Sequence, residues 1–135
     1  MKLFKLTPML NISDIEASHD FYRRALDFEV VSPLDLVKEW RWATIRSGDI
    51  ELMLSETESP PELAKNIDPQ HTTSWPTIFY FYPDNVVALH QRVADAGFNP
   101  GPVEVTCYGM REFSVQDPDG HCLSFGEDAD APADG

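Results

Sequence analysis

The sequence has no apolar run of the roughly 18 or more residues that a membrane-spanning helix requires. Its opening, MKLFKLTPML, lacks the longer apolar core and small-residue cleavage site of a secretory signal, so a cytoplasmic protein is expected. Only two cysteines occur, Cys107 and Cys122, and neither stands in a C-x-x-C pair. That argues against a cysteine metal knuckle, and in a reducing compartment it leaves both as small packing residues. Basic residues are scarce, 10 against 23 acids, for a net charge of −13. The last nine residues, EDADAPADG, carry only part of that excess, so the folded region is itself acidic. Such a field repels nucleic acid and anionic membrane and attracts cations. A Gly-x-Ser-x-Gly elbow, a phosphate-cradling glycine loop and a Cys-His nucleophile signature are all missing, so no covalent chemistry stands out.

What the sequence does have is a repeat. Thr7 to Phe28 reads TPMLNISDIEASHDFYRRALDF, and seventy positions on, Thr77 to Phe98 reads TIFYFYPDNVVALHQRVADAGF. In that alignment Thr7 meets Thr77, Asp14 meets Asp84 and Phe28 meets Phe98. Each copy is a short apolar strand, an acidic cap, an amphipathic helix and the start of another strand. A unit this small cannot bury its own apolar face, so two copies must pack on each other or on a partner. At 135 residues the chain is long enough for a real core.

The local signals are clear in places. Ser13-Asp14-Ile15-Glu16 has the S-x-x-E form that starts a helix, and Ile15, Ser18, Tyr22, Ala25 and Leu26 follow at helical spacing. Trp40 to Arg46 and Ile50 to Ser55 read as strands around the turn Ser47-Gly48-Asp49. In the second copy Asp84 is the expected cap, with Val86, Leu89, Val93 and Ala96 as the buried stripe. Arg111 to Gln116 and Cys122 to Gly126 read as a hairpin around Asp117-Pro118-Asp119-Gly120. The order is βαβββ twice, an α+β fold of two modules, about 4–56 and 76–127, whose cupped antiparallel sheets carry helices on their convex faces. A polar linker, about 57–75, joins them and holds a short helix from Pro61. Residues 128–135 are expected to be a disordered acidic tail.

The run SDIEASHDFYRRALDFEVV and above all REFSVQDPDGHCLSFGE resemble the vicinal-oxygen-chelate superfamily of glyoxalase I, extradiol dioxygenases and bleomycin-resistance proteins. Pro8, Leu10 and Asp14, with Arg111 to Cys122, look most like the bleomycin-resistance branch. That resemblance implies a homodimer with two equal clefts. In the enzymes of the superfamily it implies a divalent metal held by His, Glu or Gln. The early ligand lies about seven residues before the helix-capping residue, which here gives Thr7 and Thr77. The late one lies four after the turn glycine, which gives Ser124. Glu51 is the plausible carboxylate in the first module. Hydroxyls are weak donors beside the nitrogen, sulfur and carboxylate ligands such ions prefer, so no metal or other cofactor is expected.

Strand alternation then sets the expected lining. Trp40, Trp42, Glu51 and Met53 from the first module, with Phe79, Phe81, Met110, Glu112 and Ser124 from the second, are placed on the open faces. Flat rings, adaptable methionines and two carboxylates suit a cationic, aromatic-containing small molecule. The expectation is a metal-free binding protein with no catalytic residue. The alternative is a metal-dependent lyase, isomerase or dioxygenase using Glu51, His71 and Glu112.

Overall fold

The computed structural model describes residues 1–60 and 77–130. The helix expected from Pro61 and the candidate ligand His71 lie outside the described residues. The chain forms two compact units, 1–62 and 63–135. Among the described residues no helix is long and apolar enough to cross a membrane.

Unit one runs β1 (Met9–Ile12), α1 (Ile15–Leu26), β2 (Glu29–Val30), α2 (Leu34–Trp40), β3 (Trp42–Ser47) and β4 (Ile50–Glu56). Unit two runs β5 (Ile78–Phe81), α3 (Val86–Asp95), β6 (Glu104–Val105), β7 (Met110–Gln116) and β8 (Cys122–Asp128). Their sheets have the same plan, β1-β4-β3-β2 and β5-β8-β7-β6. The sheets are mixed, because β1 lies parallel to β4 and β5 parallel to β8, while the other pairs are antiparallel.

Local chemistry explains the helices. Asp14 is the N-cap of α1, and its Oδ1 accepts from the backbone N–H of Glu16 and Ala17, so the cap is one residue beyond Ser13. The expected stripe is buried, with Phe21 added to it. In α3 the capping side chain belongs to Asn85, whose Oδ1 accepts from Ala88 N–H, and Asp84 stands outside the helix. Helix α2 was not expected. Pro33 precedes it, Asp35 lies in its first turn and Lys38 in its last, the charge order a helix dipole favours. Trp40 therefore ends a helix, and β3 begins only at Trp42.

One device recurs in both units. Glu56, at the end of β4, accepts from the first helical N–H of α1 at Ile15 and is paired with Arg41. Glu127, near the end of β8, accepts from the first N–H of α3 at Val86 and is paired with Arg111. A carboxylate at a helix N-terminus meets unpaired N–H groups and the positive end of the dipole. It ties each helix to the central strand of its sheet. The apolar face of unit one carries Leu10, Ile12, Ala43, Ile45, Leu52 and Leu54, all buried. That of unit two carries a row of rings: Phe81 stacks on Phe125 at 5.2 Å, Phe125 on Phe113 at 5.0 Å, and His90 of α3 meets Phe113 edge-on. The ordered chain also passes residue 127. Ala129 N–H donates to Gly109 O, and Arg111 Nη2 donates to Ala129 O.

Candidate ligand-binding site

Each sheet has one face against its helices and one open face. In unit one, register places Met9, Trp42, Thr44, Glu51 and Met53 together on the open face, as expected from alternation. Trp40 is not among them. It lies at the end of α2 with 54% of its surface exposed. Glu51 is already engaged. Its Oε2 accepts from Arg46 Nε at 3.0 Å, and its Oε1 pairs with Lys5 Nζ at 3.0 Å. These two cations hold the Glu51 carboxyl below the usual carboxylate range, Arg46 first. A ligand ammonium would have to displace one of them.

In unit two the register corrects the expected lining. Phe79 pairs with Leu123 and Phe81 with Phe125, which puts both rings on the helix-covered face with Phe113. Ile78 and Tyr80 take the open face, with Ser124, Ser114, Glu112 and Met110. The cause is a one-residue slip in the repeat. Asp14 and Asn85, Ile15 and Val86, and Glu56 and Glu127 are each 71 positions apart, because the cap is Asn85 and not Asp84. With side chains alternating at every residue, a slip of one exchanges the faces. The equivalent of Thr7 is then Ile78, and Thr77 precedes the strand.

The open face of unit two is organised around Glu112. Tyr80 Oη donates to Glu112 Oε2 at 2.7 Å, and Tyr108 Oη donates to Oε1 at 2.8 Å. Tyr80 stands on β5 and Glu112 on β7, with β8 between them. The ring crosses β8 at Gly126, which pairs with Glu112 and has no side chain to block it. Tyr82 lies beside Tyr80, ring centroids 5.2 Å apart and planes tilted by 54°. Burial first, then the Glu112 carboxylate, raises the Tyr80 phenol above its ordinary range. The Glu112 hydrogen bond does the same for Tyr108. Below Glu112, Ser114 and Ser124 hydroxyls meet at 2.7 Å and both are buried. Burial pushes the neighbouring Cys122 thiol up to about 11, which keeps it protonated and unreactive at neutral pH.

The positions implied for a metal are poor in donors. Thr7 offers a hydroxyl, Ile78 offers nothing, Ser124 is bonded to Ser114, and Glu51 is held by Arg46 and Lys5. Among the described residues no three His, Cys, Asp or Glu side chains form a cluster able to hold an ion. This donor set does not fit a zinc, manganese or iron centre. Matching the repeat at Asp84 places Tyr80 on the helix-covered face, whereas Tyr108 lies ahead of β7, where strand alternation gives no signal. The signal for Tyr80 is Asn85 as the cap, which shifts β5 by one.

A four-stranded sheet with one helix-covered face, repeated once in the chain, defines a duplicated two-module protein. Residues 6–125 match the model of the Glyoxalase/Bleomycin resistance protein/Dioxygenase superfamily, and the chain belongs to that family. Solved structures with the same fold include TioX from Micromonospora sp. ML1, at 18% identity and TM-score 0.71, covering 91% of this chain and 97% of that one. Another is a bleomycin-binding protein from bleomycin-producing Streptomyces verticillus, complexed with copper(II)-bleomycin, at 28% identity and TM-score 0.62, covering 93% and 96%. The fosfomycin resistance protein FosX from Mesorhizobium loti is similar at 16% identity and TM-score 0.67, covering 93% and 92%. No curated protein matches the chain in sequence.

Proposed function

We propose that this chain is a cytoplasmic, homodimeric binding protein that sequesters a cationic, aromatic-containing small molecule without changing it chemically. The observation that carries the reading is Glu112, a carboxylate on an open sheet face framed by tyrosines instead of by metal ligands. A carboxylate beside π faces attracts a cation through charge and through the ring quadrupoles together. Trp42 and Met53 add a flat surface and an adaptable one on the open face of the first unit. The net charge of −13 strengthens attraction of a cation from a distance. The similarity to a bleomycin-binding protein at 28% identity supports the same class of role.

Calorimetry with a bleomycin-type glycopeptide, run with and without chelator, tests the proposal. Saturable heat that survives chelation is the expected result. Stoichiometric zinc, manganese or iron in the purified protein, lost together with binding on chelation, would instead favour the metal-dependent enzyme.

A further inference from the structure

The chain does not leave the fold where its last strand ends. β8 closes its ladder with β7 at Asp128, opposite Met110. The next residue, Ala129, makes two further bonds. Its N–H donates to Gly109 O at 2.9 Å, and its carbonyl accepts from Arg111 Nη2 at 2.9 Å. Arg111 grips a second partner, for its Nη1 is paired with Glu127 Oε2 at 2.7 Å. A guanidinium suits this double grip, because its donors reach two acceptors from one rigid plane. Just beyond, Asp128 Oδ1 accepts from Asp130 N–H at 2.9 Å.

The other end of the grip is the turn between β6 and β7. Gly109 N–H donates to Thr106 O at 3.1 Å, and Met110 N–H donates to Thr106 Oγ1 at 3.1 Å. Tyr108 is carried on this turn, mostly exposed, with its hydroxyl on Glu112 at 2.8 Å. An exposed hydrogen bond competes with water and does little to immobilise a turn by itself. The bond from Ala129 to Gly109, the residue after Tyr108, supplies a second anchor. Arg111 and Glu112 are neighbours on β7 and point to opposite faces. The grip therefore acts from the helix-covered side, where Glu127 also meets the start of α3.

We propose that Ala129 and Arg111 form a clamp that holds the Thr106–Gly109 turn and thereby keeps Tyr108 against Glu112. Both are positioning residues for the ligand site and act without touching a ligand. The clamp rests on the binding-protein reading for its purpose, since Glu112 carries that reading.

Amide hydrogen exchange, followed by NMR on the full chain, tests the clamp without a ligand. Ala129→Pro deletes the N–H that Gly109 O accepts, and the preceding Asp128 is already in a strand, the conformation a following proline favours. Arg111→Lys keeps a charge for Glu127 and loses the planar fork. Each should speed exchange at Gly109 and Met110 about tenfold, the change that loss of one hydrogen bond brings, and leave Leu52 and Leu54 of unit one unchanged. The Tyr108 ring signals should shift toward their positions in Glu112→Ala, where the partner is gone. Glycopeptide affinity should fall in Ala129→Pro by no more than Tyr108→Ala alone costs, and the double variant should match Tyr108→Ala. Faster exchange throughout both units would mean general destabilisation and would overturn the proposal, as would unchanged exchange at Gly109 in both variants. Local acceleration with full glycopeptide affinity would overturn the role in the site and leave the binding-protein reading standing. Local acceleration and a shifted Tyr108 ring in a chain that binds no glycopeptide would support the clamp and remove that reading.

Discussion

Tyr80 lies across Gly126: a β-carbon built at position 126 would overlap the Tyr80 hydroxyl and stand 2.7 Å from its Cζ. The glycine is therefore required by a neighbour's ring and by no turn, since it sits in the middle of β8. Gly126→Ala should force the ring away, break its bond to Glu112 and destabilise the fold by about 1–3 kcal/mol, the usual cost of overpacking. Adding Tyr80→Ala removes the obstacle, so the double variant should be less destabilised than the two single losses summed. Urea unfolding of the four proteins measures this. Simple additivity would show that the two residues do not share the space.

The repeat and the two βαβββ modules were legible because helical and strand periodicities are strong in both copies, and the Asp117–Gly120 turn fixed the last hairpin. The faces of unit one were legible too, because Asp14 is the true cap there. In unit two two adjacent polar residues, Asp84 and Asn85, each suit an N-cap. Asp84 was the natural match to Asp14, and choosing it reversed Phe79 and Tyr80. Nothing within the strand resists the error, since IFYFY is apolar or aromatic at every position. The packing that resolves it, Phe81 on Phe125 and Tyr80 on Gly126, joins residues more than forty positions apart. Helix α2 escapes sequence reading because its last residue, Trp40, stands two before Trp42 of β3 and so continues that strand's alternation.

The paired glutamates offer a prediction that treats the units as copies. Glu127 is mostly buried, holds Arg111 at 2.7 Å and accepts from Val86 N–H. Glu127→Ala would strand both a guanidinium and a helix N-terminus, for a loss of about 2–3 kcal/mol. Glu56→Ala should cost less, because its partner Arg41 is 57% exposed and water replaces the pair. Thermal unfolding followed by circular dichroism would rank them. The reverse order would mean that these glutamates act through something other than the helix starts.

Acid should act through Glu51. Arg46 and Lys5 hold its carboxyl below the ordinary range, so the unfolded chain binds that proton more readily than the folded one. Its contribution is complete above the unfolded value of about 4.3 and disappears as pH falls through the lower folded value. In Glu51→Gln the acid side of the stability curve should therefore fall less steeply over that window than in the parent. Denaturation midpoints between about pH 2 and pH 6 span the titration. Parallel curves would remove Glu51 from the account.

Alkali should act late on Tyr80. A phenol normally ionises near 10, and burial together with the Glu112 carboxylate raises Tyr80 above that. A raised value favours the neutral form in the folded state, so the stability it brings is present below the unfolded pKa and is lost as pH rises through the folded one. Ultraviolet difference titration of phenolate should then show a late-ionising amplitude to which Tyr80 contributes. Tyr80→Phe should reduce that late amplitude by one phenol's worth. Glu112→Gln should bring the step to lower pH without abolishing it, because burial is the larger cause and the carboxylate the smaller. If the late amplitude were the same in Tyr80→Phe as in the parent, the phenol bonded across β8 would not be protected, and the placement of the Glu112 cluster would have to be redrawn.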